Sequence, residues 1–353
     1  MNSNKRILNP GGFKIQKMDI LLYILLLIFS ALLLIKSSAW SVTLLSKAAG
    51  ILKWSPFFIA FILMGFATTL PELLVGISSA LHNSPELSFG NVLGSNVINL
   101  TLLAGLGALV GKGLILKSKQ ARKGAFRMLI FALAPILLFL DQYLSRLDGL
   151  VLISLLVLHL SNTYYKKRKK LAKNQKKRHL PRSLINLCKN SIQNLKTEYE
   201  NYKNLLKTLL FFSLSFGVLA LSAEGVVFAG IHLAQKLNLP AFLIGVVLIA
   251  LGTNLPEISF GIRAIKMHYR NMVLGNLMGA VIINSTLVLG ITAIIKPFPV
   301  PYFSNYLLSI VFLFFSALFF YFFSHTNTRI SRKEGIILIF IYLLFLVGSL
   351  VLN

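Results

Sequence analysis

The chain has 353 residues, 56% of them hydrophobic and only 13% charged, with 36 Lys and Arg against 10 Asp and Glu for a formal charge of +26. A soluble domain carries about 25% charged residues, so a water-soluble enzyme is excluded. Repeated apolar runs of about the 20 residues that a bilayer crossing needs indicate an all-α polytopic membrane protein. On a soluble chain such a charge would suggest nucleic-acid binding; here the cations sit between apolar runs, where they orient spans.

Ten spans are expected, at about 19–36 (with a break and a continuation to about 50), 57–82, 91–111, 125–141, 147–163, 207–235, 241–265, 272–295, 304–324 and 334–352. Lys5, Arg6, Lys14 and Lys17 before the first run, with Ser37-Ser38-Ala39 after it, imitate a signal peptide. The repeat described below makes this run a retained first span instead. The polar stretch 164–206 divides the chain into 1–163 and 207–353, five spans each. Loops 112–127, 263–271 and 325–333 are rich in Lys and Arg, and 164–207 holds 14 of them. The alternate loops carry only Arg146, Lys236 and Lys296, with none in 83–90. The positive-inside rule then puts both termini outside and loop 164–206 in the cytoplasm. An odd number of spans per half inverts the second half relative to the first.

The basic loop (YKKRKKLAKNQKKRHLPR) reads as a solvated tether touching anionic lipid, at about 1 kcal/mol per cation near the surface. No nucleic acid is expected there, because only Tyr164 and Tyr165 interleave the cations, and no obligate protein partner is evident. The single cysteine, Cys188, allows no intramolecular disulfide. His82 and His268 read as solvated loop-edge residues, Glu224 as structural or gating, and the Phe-rich stretch 311–323 as lipid-facing bulk.

A shift of 185 residues lays ATTLPELLVGI (67–77) on GTNLPEISFGI (252–262) and GNVLGSNVIN (90–99) on GNLMGAVIIN (275–284). Across 65–99 and 250–284, 11 of 35 positions are identical, and the same register pairs Ser37 with Ser222 in the first span of each half. Inverted repeats of this kind typify secondary transporters, with the substrate site at the midplane between the repeats. Glu72 and Glu257 occupy equivalent positions in apolar spans, where a carboxylate is costly and marks a functional site. Pro71 and Pro256 are expected to break their helices, freeing carbonyls near Gly65 and Ala250 that are tolerated only around a cavity or within protein. Thr68 shares a helix face with Glu72, Thr253 with Glu257, and Ser95 with Asn99. Gly90, Gly94, Gly275 and Gly279 would let these helices approach closely.

The converging groups are two carboxylates, the hydroxyls of Thr68, Thr69, Thr253 and Ser95, and the amides of Asn99, Asn254 and Asn284. An all-oxygen set with neither imidazole nor thiolate suits a hard cation, Ca²⁺ above all, as cargo rather than as a resident cofactor. Two carboxylates balance one Ca²⁺ or attract several monovalent ions, and competition between these loads gives antiport.

These residues resemble the two α-repeats of the calcium/cation antiporter superfamily, in its sodium/calcium exchanger branch, on the strength of TTLPE and GTNLPE and of the GNxxGSNxxN and GNxxGAxxxN segments that follow. The resemblance implies alternating access, with the first and sixth spans sliding against an ion-holding core. It implies that Glu72 and Glu257 bind Ca²⁺ and Na⁺ in turn, with Thr68, Thr69, Ser95 and Asn99 as first-repeat ligands and Thr253, Asn254 and Asn284 as second-repeat ligands. Gly65 and Ala250 would lend carbonyls. The chain departs from the family pattern at Ala280, Asn254, Val281 and Asn284, all in the second repeat. Ca²⁺/Na⁺ exchange in a prokaryotic plasma (inner) membrane is therefore the expectation, and Ca²⁺ (or another divalent cation)/H⁺ exchange the alternative. From a different class comes a non-transporting membrane anchor with a basic recruitment loop, for which Glu72→Gln would be silent. No P-loop pattern supports an ATP-driven pump.

Overall fold

The computed structural model describes residues 10–51, 66, 68–115, 119–175, 191–266, 270–299, 303–325 and 329–351. Helix α1 (Pro10–Ile51) is unbroken, where the sequence reading allowed an interruption. No Gly or Pro occurs between residues 13 and 49, so nothing stops the helix. There follow α2 (Leu70–Leu81), α3 (Pro85–Ile98), a π-helical turn at Asn99–Leu103, and α4 (Ala104–Val110). Next come α5 (Lys119–Leu138) and α6 (Arg146–Gln175). The second half begins with α7 (Ser191–Leu237), then α8 (Ala241–Ile244), a π turn at Gly245–Ile249 and α9 (Ala250–Lys266). It closes with α10 (Arg270–Ile283), a π turn at Asn284–Val288, α11 (Leu289–Ile295), α12 (Phe303–His325) and α13 (Arg332–Val351).

Eight helical stretches among the described residues are long and apolar enough to cross a membrane. Residues 164–175 and 191–206 are helical extensions of α6 and α7 rather than loop. Both are free of Gly and Pro and rich in Lys, Leu, Gln and Glu, which propagate a helix.

The 185-residue shift is reproduced element by element. It carries 85–98 onto 270–283, 99–103 onto 284–288 and 104–110 onto 289–295, each the bounds of an observed element. Two short antiparallel ribbons interrupt the all-helical pattern: β1 (Leu114–Ile115) pairs with β4 (Arg329–Ile330), and β2 (Tyr143–Leu144) with β3 (Phe298–Pro299). The shift brings 114 to 299 and 144 to 329, so exchanging the halves turns one ribbon into the other.

The motif-bearing spans are the innermost. The most apolar 18-residue stretch is 83% buried in Pro85–Val110 and 78% in Val273–Ile295, against 17% in Ile20–Leu44. Outer helices therefore present leucines such as Leu22, Leu147 and Leu221 to lipid. The Phe-rich stretch on α12 is two-faced rather than wholly lipid-facing: Phe314, Phe315 and Phe322 are exposed, while Leu313, Ala317 and Phe320 are fully buried. Close approach at the centre needs glycine. A Cβ at Gly90 would stand 2.2 Å from the Phe242 carbonyl oxygen, and one at Gly245 2.3 Å from that of Leu87. Gly275, equivalent to Gly90, has no atom of a described residue within 4 Å of such a Cβ; residue 57, the counterpart of Phe242, lies outside the described residues.

Candidate ion-binding site

The two prolines act differently. Pro71 lies in the first turn of α2, where a missing N–H is harmless. The helix starts after Thr69, whose φ of −88° and ψ of 3° lie in the sparsely allowed bridge region. Pro256, expected to break its helix, lies inside the continuous α9. The irregularity is displaced upstream, into the π turn at Gly245–Ile249. The Ala250 carbonyl is not free, since it accepts the Asn254 amide at 2.7 Å and the Thr253 hydroxyl at 3.4 Å. The carbonyl that Pro256 deprives of its i+4 donor is that of Gly252. Gly65, the other carbonyl candidate, lies outside the described residues, as do Cys188 and His268.

Glu72 and Glu257 are 0% and 1% exposed, and none of their four oxygens accepts a hydrogen bond from a described residue. Each lies beside the threonine of the other repeat: Thr253 beside Glu72, and Thr68 beside Glu257, which also feels the charge of Glu72. The threonine hydroxyls are directed across the repeat boundary. Thr68 Oγ1 donates to Asn276 Oδ1 at 3.1 Å, and Thr253 Oγ1 donates to Asn91 Oδ1 at 3.2 Å. The same shift interchanges these two bonds. Each hydroxyl has one proton, and each is approached by an amide oxygen and a carboxylate. Neither hydroxyl can therefore serve both of its acceptors at once.

The remaining expected residues surround this pair unequally. Ser95 Oγ receives the Asn254 amide at 2.7 Å and faces Asn91 Oδ1 at 3.5 Å. The counterpart of Asn254 is Thr69, which donates to the Phe66 carbonyl at 3.0 Å, and that of Ser95 is Ala280, which has no hydroxyl. Asn99 and Asn284 open the two π turns, fully buried, with neither amide atom hydrogen-bonded to a described residue. Single π turns recur at functional sites. Sequence reasoning missed Asn91 and Asn276 as site residues; their identity in both repeats was the available signal. It also missed the bond from Asn96 Nδ2 to Ser285 Oγ at 2.8 Å. At the equivalent positions, Val281 and Leu100 are both fully buried, an apolar pair replacing a polar one. A narrow cavity between α1, α7 and the core reaches Gly252 and Thr253 past Leu34, Val226 and Ile249.

No group of three or more His, Cys, Asp or Glu that could hold a resident metal occurs among the described residues. A buried pair of carboxylates, one from each repeat and ringed by hydroxyls and amides, lies at the centre of this helical fold, and its chemistry is of the kind that helical membrane transporters place at their midplane. The family described as "Sodium/calcium exchanger protein" matches residues 22–165 and 207–351, segments themselves offset by the repeat period. The chain belongs to that family. It is 29% identical over 275 residues to the inner membrane protein YrbG of Escherichia coli, covering 77% of this chain and 79% of YrbG. It is 27% identical over 341 residues to the sodium/calcium exchanger MaX1 of Methanosarcina acetivorans, covering 92% of this chain and 97% of MaX1. Its fold matches a structure of the sodium-calcium exchanger NCX_Mj soaked with Na⁺ and Sr²⁺, with a TM-score of 0.61 and 23% identity, covering 95% of this chain and 99% of that one.

Proposed function

We propose that the protein exchanges Ca²⁺ for Na⁺ by alternating access, the two ions competing for one site built on Glu72 and Glu257. The observation that carries this reading is the pair of fully buried carboxylates, one from each repeat, each beside the other repeat's threonine and with no cation among the described residues against either. Buried charge of this kind is costly unless compensated, and a divalent cation compensates both carboxylates at once. Thr68, Thr69, Ser95 and Asn99 would supply oxygens from the first half, and Thr253, Asn254, Asn284 and the Gly252 carbonyl from the second. An all-oxygen set fits Ca²⁺, whose shell takes 6–8 oxygens in flexible geometry. The names of MaX1 and NCX_Mj support Na⁺ as the counter-ion.

In this reading the ions are cargo, no resident cofactor is needed, and the working units are 1–163 and 207–353 joined through 164–206. The alternation of basic loops supports a cytoplasmic 164–206 and external termini in a prokaryotic plasma membrane, with the basic helix ends lying against anionic lipid. The test is ⁴⁵Ca²⁺ uptake into proteoliposomes loaded with Na⁺ or with choline, with and without a pH gradient, and with Glu257→Gln as control. Uptake into Na⁺-loaded vesicles alone, lost in the variant, is the expected result. Uptake driven by the pH gradient alone would replace Na⁺ by H⁺ as the coupling ion. Full uptake in Glu257→Gln would remove the site.

A further inference from the structure

The buried apolar residues of the described chain form two large clusters and a small third one at Ala264, Ile265 and Val273. The larger cluster, including Phe89, Val97, Leu277 and Leu313, contains nothing from α1 or α7. Those two helices meet the rest of the protein through a second cluster, in which Leu34, Leu219, Ala223 and Val226 pack on Leu70, Val75 and Leu87. Within the helix pair the contacts are its own: Ser41 with Ser215 at 2.7 Å, Ser215 with the Ser37 carbonyl at 2.9 Å, and Tyr23 stacked on His232 at 4.9 Å. An apolar surface between two bodies sets no register, because dispersion and hydrophobic burial are not directional.

A polar cluster bridges that surface. Glu224 on α7 accepts the Ser78 hydroxyl at 2.6 Å through Oε2 and meets His82 Nε2 at 3.0 Å through Oε1. His82 caps the C-terminus of α2, and its Nδ1 lies 2.9 Å from the Ser78 carbonyl oxygen. A carbonyl and a carboxylate only accept, so both ring nitrogens must donate, and a neutral imidazole has one donor. The arrangement is therefore complete only as imidazolium and carboxylate. Both side chains are accessible, 40% and 47% exposed. The titratable groups on the neighbouring elements have other surroundings. His232 lies on Tyr23 and Phe228, Glu86 interacts with Lys296, and Lys36 and Lys47 lie on α1. On α7, Lys203 and Lys207 lie 17 or more residues before Glu224 and Lys236 lies 12 after it, Glu72 is about 15 Å away along α2, and residues 241–249 include no titratable side chain.

We propose that His82 and Glu224 are positioning residues for exchange: the charged pair fixes α7, and α1 with it, against α2, and loss of the imidazolium proton releases the two-helix body. The consequence for transport rests on the antiport reading; the pair itself does not. The test uses the full chain with Cys188→Ser, spin-labelled through Leu81→Cys and Leu221→Cys, both on exposed positions, with the label distance read by pulsed EPR between pH 5.5 and 8.5. One distance is expected at low pH and a second population as pH rises across the imidazole range. His82→Asn and Glu224→Gln should each abolish the pH dependence, and His82→Lys, a permanent cation, should hold the low-pH distance throughout.

In proteoliposomes at equal pH on both sides, the wild-type exchange rate should rise at least about threefold from pH 6 to 8, and the His82→Lys rate should not. A pH-dependent distance in a protein that exchanges no ion would sink the antiport reading and leave the latch standing. A pH-invariant wild-type distance, or the same pH dependence in His82→Asn and Glu224→Gln as in wild type, would overturn the latch whatever the transport result.

Discussion

Replacing Glu72 by Gln separates an ion ligand from a structural carboxylate, because the two roles predict opposite signs for the ion-free protein. Glu72 is fully buried, no described donor reaches either oxygen, and Glu257 is close enough to feel its charge. A glutamine of nearly the same shape removes that repulsion and supplies an N–H to a neighbourhood rich in acceptors. Replacing buried charge is often neutral or stabilising by about 1–4 kcal/mol, so in chelator the variant should melt at or a few degrees above wild type. Ca²⁺ binding should move the other way. Removing one partner of a buried charge pair costs about 2–5 kcal/mol, or roughly 30- to 5,000-fold in affinity. Thermal unfolding in detergent, with chelator and with a Ca²⁺ series, reads both quantities. At about 100 times its dissociation constant Ca²⁺ stabilises wild type by about 2.7 kcal/mol, and at the same concentration that increment should fall to about 0.9 kcal/mol or less in the variant. A variant that melts well below wild type in chelator yet keeps its Ca²⁺ increment would refute the argument and make Glu72 a structural residue.

Thr68→Val should lower stability by about 1–3 kcal/mol because it strands the Asn276 oxygen, and Thr253→Val by less, because the Ser95 hydroxyl still faces the Asn91 oxygen at 3.5 Å; Thr→Ser at either position should recover most of the loss in the same melting assay. Gly90→Ala meets the Phe242 carbonyl oxygen at 2.2 Å and Gly245→Ala that of Leu87 at 2.3 Å, and each should cost about 1–3 kcal/mol in the same assay. Asn96→Val alone should destabilise by stranding Ser285, and the double change Asn96→Val with Ser285→Ala should recover part of the loss, giving a coupling of about 0.5–3 kcal/mol in a double-mutant cycle. Ala280→Ser places an oxygen at the position equivalent to Ser95; a steeper Na⁺ dependence of Ca²⁺ uptake with unchanged Ca²⁺ affinity is expected, and an unchanged Na⁺ dependence would remove this position from Na⁺ binding.

The elements and their pairing were legible in the sequence because membrane spans and duplicated motifs are both one-dimensional signals. A 20-residue apolar run announces itself, and a fixed 185-residue shift needs no structure to be found. The carboxylates were legible for the same reason, since an acidic residue in such a run contrasts with everything around it. Partnership was not legible. Helical periodicity joins Thr68 to Glu72, but the fold sets Thr68 against Asn276 and beside Glu257, 208 and 189 positions away. Asn91 and Asn276 therefore stood in the sequence as identities without a role. Local rules also overestimated Pro256: a proline deletes one hydrogen bond wherever it stands, but packing decides whether the helix parts there or bends a turn earlier. His82 is exposed, as expected, but a single loop-edge histidine gives no indication that Glu224, 142 residues later, will lie 3.0 Å away.

The repeats share sequence at the site but not conformation, and that difference bears on how one site could be reached from two sides. Around Pro71 the helix begins anew after Thr69 in the bridge region; around Pro256 the equivalent backbone is continuous α-helix behind a π turn. An L-peptide with the same TxLPE pattern thus supports both local structures, and the difference between them is carried by neighbours rather than by intrinsic preference. If the halves exchanged conformations, the Thr–Asn bonds would map onto each other, as would the two ribbons, so the exchange would conserve its central contacts. What would not map are Asn254 with Ser95 against Thr69 with Ala280, and Asn96 with Ser285 against Val281 with Leu100. The energy difference between the two exchanged states therefore resides chiefly in these unequal pairs and in the contacts of α1 and α7. Those are the places where substitutions would bias the conformational equilibrium without removing a carboxylate from the ions.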